Sequence, residues 1–151
     1  MKMLPELFPQ PENGRVLLLS LWFGANDSCL PHPFQHVPLP TFKANLRGIS
    51  SFPALQRHNP KLIFATPPPV ELHTRDPLDI AAGPEPMRLA ETTADYAQAV
   101  KEVSAEVEGA AYIDFWTLMM REAGWKEGQT LCGSRKREKN EWLAERLYDG
   151  G

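Results

Sequence analysis

The sequence predicts an α/β fold in which helices cover a parallel sheet. Three short apolar runs of strand length recur along the chain, at residues 16–23, 61–66 and 111–115, and helical patterns separate them. Alternation of strands and helices with crossovers of this length is typical of right-handed βαβ units, which build parallel sheets. A chain of 151 residues is long enough to bury one core without disulfides or metal.

The first strand is predicted over residues 16–23, which read VLLLSLWF. Because this run is almost continuously apolar, it favours a strand buried on both faces, and Gly24 closes it. The next helix is predicted to begin near Thr41 and to be disrupted at Pro53. Its apolar residues recur at helical spacing: Phe42, Leu46 and Ile49.

The second strand is predicted over residues 61–66, and the prolines at 67–69 stop it. The proline-rich stretch 67–86 is interpreted as a loop. The longest helix is then predicted over residues 86–108, with Gly109 at its C-terminal stop. Its apolar stripe comprises Thr93, Tyr96, Val100, Val103 and Val107.

The third strand is predicted over residues 111–115, and two short helices follow over residues 115–123 and 140–148. In open parallel sheets, ligands bind at the carboxyl ends of the strands. This rule directs attention to residues 24–28, to residues 66–70 and to the residues after Phe115.

Charge and composition limit the partners. The formal net charge of -3 gives no electrostatic reason to expect nucleic acid or an anionic membrane. The longest apolar run is far shorter than the roughly 20 residues of a membrane-spanning helix, and no small-residue cleavage site follows it. Cys29 and Cys132 are too few for a disulfide scaffold, so we expect reduced thiols in a cytoplasmic protein.

No pair among the 4 histidines and 2 cysteines has the spacing of a zinc site. We therefore expect neither a metal nor a cofactor. Cys132 has no neighbour in sequence that would activate its thiol as a nucleophile.

The most informative local segment is residues 24–28, GANDS, directly after the first strand. Gly24 lets the backbone approach a ligand closely, and the Asn26 amide at a strand end can donate a hydrogen bond to a developing oxyanion. A turn with an Asx cap explains the four letters GAND equally well. The residues alone leave both interpretations open.

Seven separated segments carry a family resemblance: LWFGANDSCLP, QHVPL, NLRGI, HNPKLIFATPPPV, DYAQAV, YIDFW and ERLYDG. In their order and rough spacing, from Leu4 to Gly150, they resemble the SGNH (GDSL) hydrolase superfamily. The resemblance is closest to its isoamyl acetate-hydrolysing esterases.

This resemblance implies a flavodoxin-like, three-layer α/β/α fold and hydrolysis of small carboxylic esters through a Ser-His-Asp triad. Residues 24–27 match the third sequence block of the family, whose asparagine donates to the oxyanion. The resemblance therefore assigns Asn26 as the oxyanion donor and Gly24, Ala25 and Asp27 to the oxyanion loop. The LYDG segment resembles the start of the Asp-x-x-His block, which assigns Asp149 as the triad aspartate.

The sequence also departs from the family pattern. It contains no Gly-Asp-Ser, which carries the nucleophile, and no histidine three residues after Asp149. We therefore expect residues 1–151 to form a single partial domain, truncated at both ends, with ester hydrolysis absent or weak. Two alternatives stay open: a non-catalytic binding or interaction module on the same scaffold, and an active hydrolase with a rebuilt or partner-completed site.

A rebuilt site would need a new hydroxyl and imidazole near Asn26. Ser28 is the nearest hydroxyl in sequence, and His32 and His36 follow it, but we interpret all three as ordinary loop residues. His58 and His73 are predicted to be exposed loop residues.

In the family fold, the strand at 16–23 lies beside the strand that carries the serine. Without that neighbour it becomes an apolar edge, which predicts self-association through the exposed sheet edge. Five aromatic residues are predicted to be core or acyl-pocket wall: Trp22, Phe23, Phe115, Trp116 and Trp142.

Overall fold

A computed structural model of the chain describes residues 7–31, 35–82 and 87–148. The strands are β1 (Leu18–Trp22), β2 (Lys61–Ala65) and β3 (Ala111–Ile113). They form one parallel sheet in the order β1-β2-β3. In its register, Leu21 pairs with Phe64, and Phe64 pairs with Tyr112. The predicted α/β class with a parallel sheet is confirmed, and its element order is that of a three-layer α/β/α fold.

The helices are α1 (Leu39–Ser50), α2 (Pro53–Gln56), α3 (Leu72–Ala82), α4 (Ala90–Ala105), α5 (Phe115–Glu122) and α6 (Glu141–Tyr148). Pro53 ends the first helical segment as expected but also opens α2, because a proline fits the first turn of a helix. The long helix begins at Ala90 rather than at residue 86, which lies outside the described residues.

The main core lies between the sheet and helices α1 and α4. Its buried members include Leu21 from β1, Phe64 from β2, Phe42 from α1 and Val103 from α4. The helical spacing of apolar residues therefore predicts the buried face of both helices. A second cluster lies around α5 and α6, with Trp116, Met120 and Leu143 buried.

The expectation that the first strand is buried on both faces is wrong. Leu21 is 3% exposed, whereas Leu18 and Trp22, which lie on the opposite face, are 55% and 58% exposed. Within the described residues, β1 pairs with a strand on one side alone. An edge strand with one covered face exposes every second side chain, whatever its hydrophobicity.

The stretch 67–86 is not the loop that its prolines suggest, since α3 occupies Leu72–Ala82 and contains Pro77. Glu71, which is fully buried, stabilises the start of this helix, because its carboxylate accepts the Thr74 N–H at 2.7 Å. Arg75 pairs with the fully buried Asp79 one turn later at 2.6 Å. These local contacts offset the one backbone hydrogen bond that Pro77 cannot make.

The prediction that His58 is exposed is also wrong, because 2% of its surface is accessible. Its Nδ1 accepts the Val16 N–H at 3.3 Å, which leaves Nε2 to donate to the Pro9 carbonyl at 3.0 Å. The ring thereby fixes the segment that leads into β1. His73 is exposed as predicted but lies in α3, with Nε2 2.7 Å from the Arg137 carbonyl oxygen.

The aromatic residues divide between core and surface. Trp116 is buried, but Trp22 and Phe23 are exposed, so their assignment to the core is wrong. Trp22 stacks on Phe115 with ring centroids 5.0 Å apart and donates from Nε1 to the Thr66 carbonyl at 2.9 Å. Trp142 is half-buried beneath the Arg146 guanidinium.

Both cysteines are buried and neither forms a disulfide. In the described parts of the chain, every helix is too short or too polar to cross a membrane.

Candidate active site

A tight turn follows β1 and carries the predicted oxyanion loop. Asp27 Oδ2 accepts the Gly24 N–H at 3.1 Å, and the Ser28 N–H donates to the Gly24 carbonyl at 3.0 Å. Gly24 has φ +112°, and a Cβ there would lie 3.1 Å from Pro67 Cγ. The backbone conformation therefore favours glycine at this position, and a Cβ would also crowd Pro67.

Asn26 lies exposed on this turn with its side-chain oxygen held from one side. Its Oδ1 accepts a hydrogen bond from the Arg88 guanidinium at 3.3 Å. A guanidinium can donate but never accept, so the amide must turn its oxygen to Arg88 and its NH2 group away. Within the described residues, no acceptor is bonded to that NH2 group.

Arg88 is itself buried and held by a carboxylate. Its NH1 group lies 3.1 and 3.3 Å from the two oxygens of Asp79. Asp79 also accepts from Arg75 Nε at 2.6 Å and from the Met87 N–H at 3.3 Å. Two arginines thus contact one buried carboxylate, and one of them, Arg88, also reaches Asn26.

A pocket of about 180 Å³ opens at this place. Its walls come from the ends of β1 and β2 and from α3, α4, α6 and the segment before α4: Ala25, Asn26, Pro68, Pro69, Val70, Arg75, Arg88, Thr93, Leu147 and Tyr148. The expected convergence of residues 24–28 and 66–70 at the carboxyl edge of the sheet is confirmed. The residues after Phe115 instead line a separate depression, where Trp116 and Thr117 lie beside Asp114.

Tyr148 forms one wall of the pocket at the end of α6. Burial raises the pKa of its phenol, and a hydrogen bond with the Glu71 backbone partly offsets that effect. The phenol therefore stays protonated at neutral pH. Asp149, the predicted triad aspartate, follows Tyr148 directly in the sequence but lies outside the described residues.

A contact between two backbone segments fixes the rim of the pocket at Val70. The Leu72 N–H donates to the Gly133 carbonyl at 2.8 Å. Gly133 has φ +79°, and a Cβ there would lie 2.1 Å from the Val70 carbonyl oxygen. The loop around Gly133 therefore packs backbone to backbone against the segment that lines the pocket.

Ser28 and His36 do not form a catalytic pair. Ser28 Oγ is fully buried and donates to the Ala25 carbonyl at 3.3 Å, whereas His36 Nδ1 lies 2.7 Å from the Cys29 carbonyl oxygen. Each side chain thus has a backbone partner, in agreement with ordinary loop roles. His32, the other histidine of this loop, lies outside the described residues.

The two thiols have different surroundings. Burial raises the pKa of Cys29, and the nearby Arg88 offsets part of that effect. Cys132 Sγ lies 3.5 Å from the Ala123 carbonyl oxygen and accepts from Arg137 at 3.2 Å. Across the described ranges, no three His, Cys, Asp or Glu side chains lie close enough together to hold a metal ion.

Sequence reasoning missed the residues that support Asn26. Arg75 and Asp79 stand four residues apart, the spacing of an ion pair on a helix, but the surrounding prolines concealed the helix. Nothing in the sequence pattern marks Arg88 as the neighbour of Asn26, from which it is 62 positions distant.

Residues 2–133 match the model of the GDSL-like lipase/acylhydrolase family. The chain belongs to this family. A GDSL esterase/lipase of Arabidopsis thaliana is 34% identical over 140 residues, which cover 87% of this chain and 56% of that protein. Isoamyl acetate-hydrolyzing esterase 1 homologs are also similar: the Mus musculus protein is 32% identical over 80% of this chain and 49% of its own length, and the Bos taurus protein 35% identical over 69% and 43%.

The chain spans about half the length of the curated relatives it matches. The resemblance stated from the separated sequence segments is confirmed, as is the three-layer α/β/α fold class of the GDSL family. Because the matching family consists of lipases and acylhydrolases, the pocket beside Asn26 is considered as a site for ester hydrolysis.

Proposed function

We propose that the chain carries the oxyanion side of a carboxylic ester hydrolase site, with Asn26 as the side-chain donor and Asp149 as the triad aspartate. The observation that carries this proposal is the orientation of the Asn26 amide. Arg88 occupies its oxygen, so its NH2 group is left to donate to a ligand, and Asn26 lines the pocket. Donors fixed in advance are the groups that stabilise a developing oxyanion most effectively.

The size of the pocket supports a small substrate. Sites for drug-sized ligands typically enclose about 300–1,000 Å³, and this pocket is smaller, at about 180 Å³. Its walls combine apolar groups such as Val70 and Leu147 with the polar ends of Asn26 and Arg88. We therefore assign a short-chain ester, for example an acetate ester, as the substrate class.

We further propose that the 151-residue polypeptide by itself hydrolyses such esters weakly or not at all, because it contains no Gly-Asp-Ser nucleophile block. A non-catalytic binding module on the GDSL scaffold is the second candidate. It is favoured by the coexistence of a formed pocket with two side chains, Ser28 and His36, that each bind a backbone carbonyl and not one another.

Hydrolysis of p-nitrophenyl acetate by the purified chain and by Asn26→Ala tests the first proposal. We expect turnover close to the buffer background in both proteins. Strong turnover that Asn26→Ala leaves unchanged would refute the assigned role of Asn26. Strong turnover that falls about 10²- to 10³-fold in the variant would support that role while refuting weak activity.

Titration of the isotopically labelled chain with ethyl acetate tests ligand binding without catalysis. We expect the NMR signals of the Asn26 side-chain amide to shift, whereas the exposed Asn59 serves as an internal control that should not move. Shifts at Asn26 without hydrolysis are expected of both candidates, and residual hydrolysis that Asn26→Ala abolishes would favour the first. No shift at Asn26 at any ester concentration contradicts both candidates.

We also propose self-association through the exposed edge of β1. Leu18 and Trp22 support this proposal, since both are more than half exposed on a strand that has one paired side among the described residues. Sedimentation at micromolar concentration tests it, and a monodisperse monomer with cooperative melting would contradict it. The cytoplasmic location expected from cysteine usage stays a prediction.

A further inference from the structure

Arg88 divides its hydrogen bonds between two residues with different tasks. Its NH1 group contacts both oxygens of Asp79, whereas its NH2 group contacts Asn26 Oδ1. Asp79 is fully buried, and 9% of the Arg88 side chain is exposed. The guanidinium therefore connects the buried Asp79 to the exposed turn after β1.

Two further arginines stabilise the position of Arg88, one through Asp79 and one through the Arg88 backbone. Arg75 binds Asp79 from α3, and Arg135 donates to the Arg88 carbonyl at 3.2 Å. Arg135 is in turn held by two hydrogen bonds to Asp76, at 2.5 and 2.7 Å. Arg88 is thus held at its backbone carbonyl and at one guanidinium nitrogen. Because the guanidinium is planar, its other nitrogen then has little freedom to move.

This arrangement has a consequence for the chemistry of Asn26. An exposed asparagine normally samples several side-chain rotamers, and a mobile NH2 group is a poor oxyanion donor because it must be reoriented during the reaction. The hydrogen bond from Arg88 withdraws electron density from Asn26 Oδ1. This polarisation also makes the Asn26 NH2 group a stronger hydrogen-bond donor.

We propose that Arg88 is a positioning residue, which fixes the orientation of the Asn26 amide and turns its NH2 group toward the pocket. The inference rests on the proposed role of Asn26 and deepens it by naming the group that makes the donor rigid. Asp79 acts one step further back, because it holds the guanidinium in place.

NMR relaxation of side-chain amides in the full 151-residue chain tests the proposal without requiring activity. In the unmodified chain, we expect the Asn26 NH2 group to have an order parameter close to that of rigid backbone, about 0.85. The exposed Asn59 supplies the flexible reference. An Asn26 as mobile as Asn59 would overturn the proposal, and this measurement depends on no variant.

Arg88→Lys separates positioning from stability. A lysine ammonium keeps the ion pair with Asp79 but lacks the second arm of the fork, so it cannot hold Asn26 at the same time. We expect unfolding by urea to change little while the Asn26 order parameter falls below about 0.6. Arg88→Met, which loses both contacts, should lower the order parameter and the stability together.

Arg47→Met is the matched control, since Arg47 also forms a two-nitrogen contact with a carboxylate, Glu106, on the surface. It should leave the Asn26 amide rigid. If Arg88→Lys folds and its Asn26 amide stays as rigid as in the unmodified chain, the proposal is wrong. A failure of the assigned oxyanion role gives a different result: a rigid Asn26 whose signals no ester perturbs.

Discussion

Strands β1 and β2 pair along their whole length and are both rich in apolar residues, but they are buried to different extents. In β2, Leu62 is 6% exposed and Phe64 is fully buried, whereas in β1 Leu18 is 55% exposed. The strands differ in their neighbours, because β2 has a strand on each side and β1 has one. The compared residues also lie on opposite faces, since Leu18 pairs with the exposed Lys61, whereas Leu62 pairs with Leu19 on the covered face. An apolar run thus predicts a strand, but the face on which each side chain lies decides whether its hydrophobicity contributes to stability.

The largest difference is expected from the same substitution made in both strands. Leu62→Ala removes buried methyl groups from the core and should lower the free energy of unfolding by about 2–5 kcal/mol. Leu18→Ala removes the same atoms from an exposed position and should change it by less than about 0.5 kcal/mol. Urea unfolding followed by circular dichroism measures both. Equal losses would show that the exposed face of β1 is covered in solution.

A smaller difference is expected where the two strands end. Thr66, after β2, is fully buried and accepts the Trp116 N–H at 2.8 Å, and Thr66→Val should cost about 1–3 kcal/mol by leaving that donor unpaired. Asp27, after β1, accepts the Gly24 N–H in a half-exposed turn, so Asp27→Ala should cost about 0.5–1.5 kcal/mol. Thermal melting of both variants compares them, and a reversed order would mean that the turn after β1 is more buried than its accessibility indicates.

The smallest effect on stability is expected from Leu18→Lys, which places a charge on the β1 edge. We expect the unfolding free energy to stay within about 0.5 kcal/mol of the unmodified chain. Self-association should nevertheless decrease, because a lysine on an edge strand disfavours pairing with another chain. Sedimentation equilibrium at several concentrations measures this change. An unchanged association constant would locate the contact away from β1.

The sequence predicts the features that depend on local pattern. The parallel strands, the buried stripe of α4 and the convergence of residues 24–28 with residues 66–70 all follow from periodicity and from the rule that ligands bind at strand ends. The structure confirms each of them.

The features that sequence reasoning missed depend on side-chain contacts that the pattern of apolar residues does not show. Helix α3 forms despite Pro77 because Glu71 and Asp79 are satisfied by partners at its start and on its buried side. His58 is buried because it binds the segment before β1. The assignment of Asp149 stays a prediction from the family resemblance.

The close approach of Gly133 to Val70 has a consequence for mutational scanning. A library screened for ligand binding should show almost no tolerated replacement at Gly133, since every other residue places a Cβ on the Val70 carbonyl. A tolerance map alone would rank Gly133 with Asn26, although Gly133 is not among the residues that line the pocket. Intolerance at Gly133 would reflect the close spacing of two backbone segments. Intolerance at Asn26 would reflect the loss of a hydrogen-bond donor to the ligand.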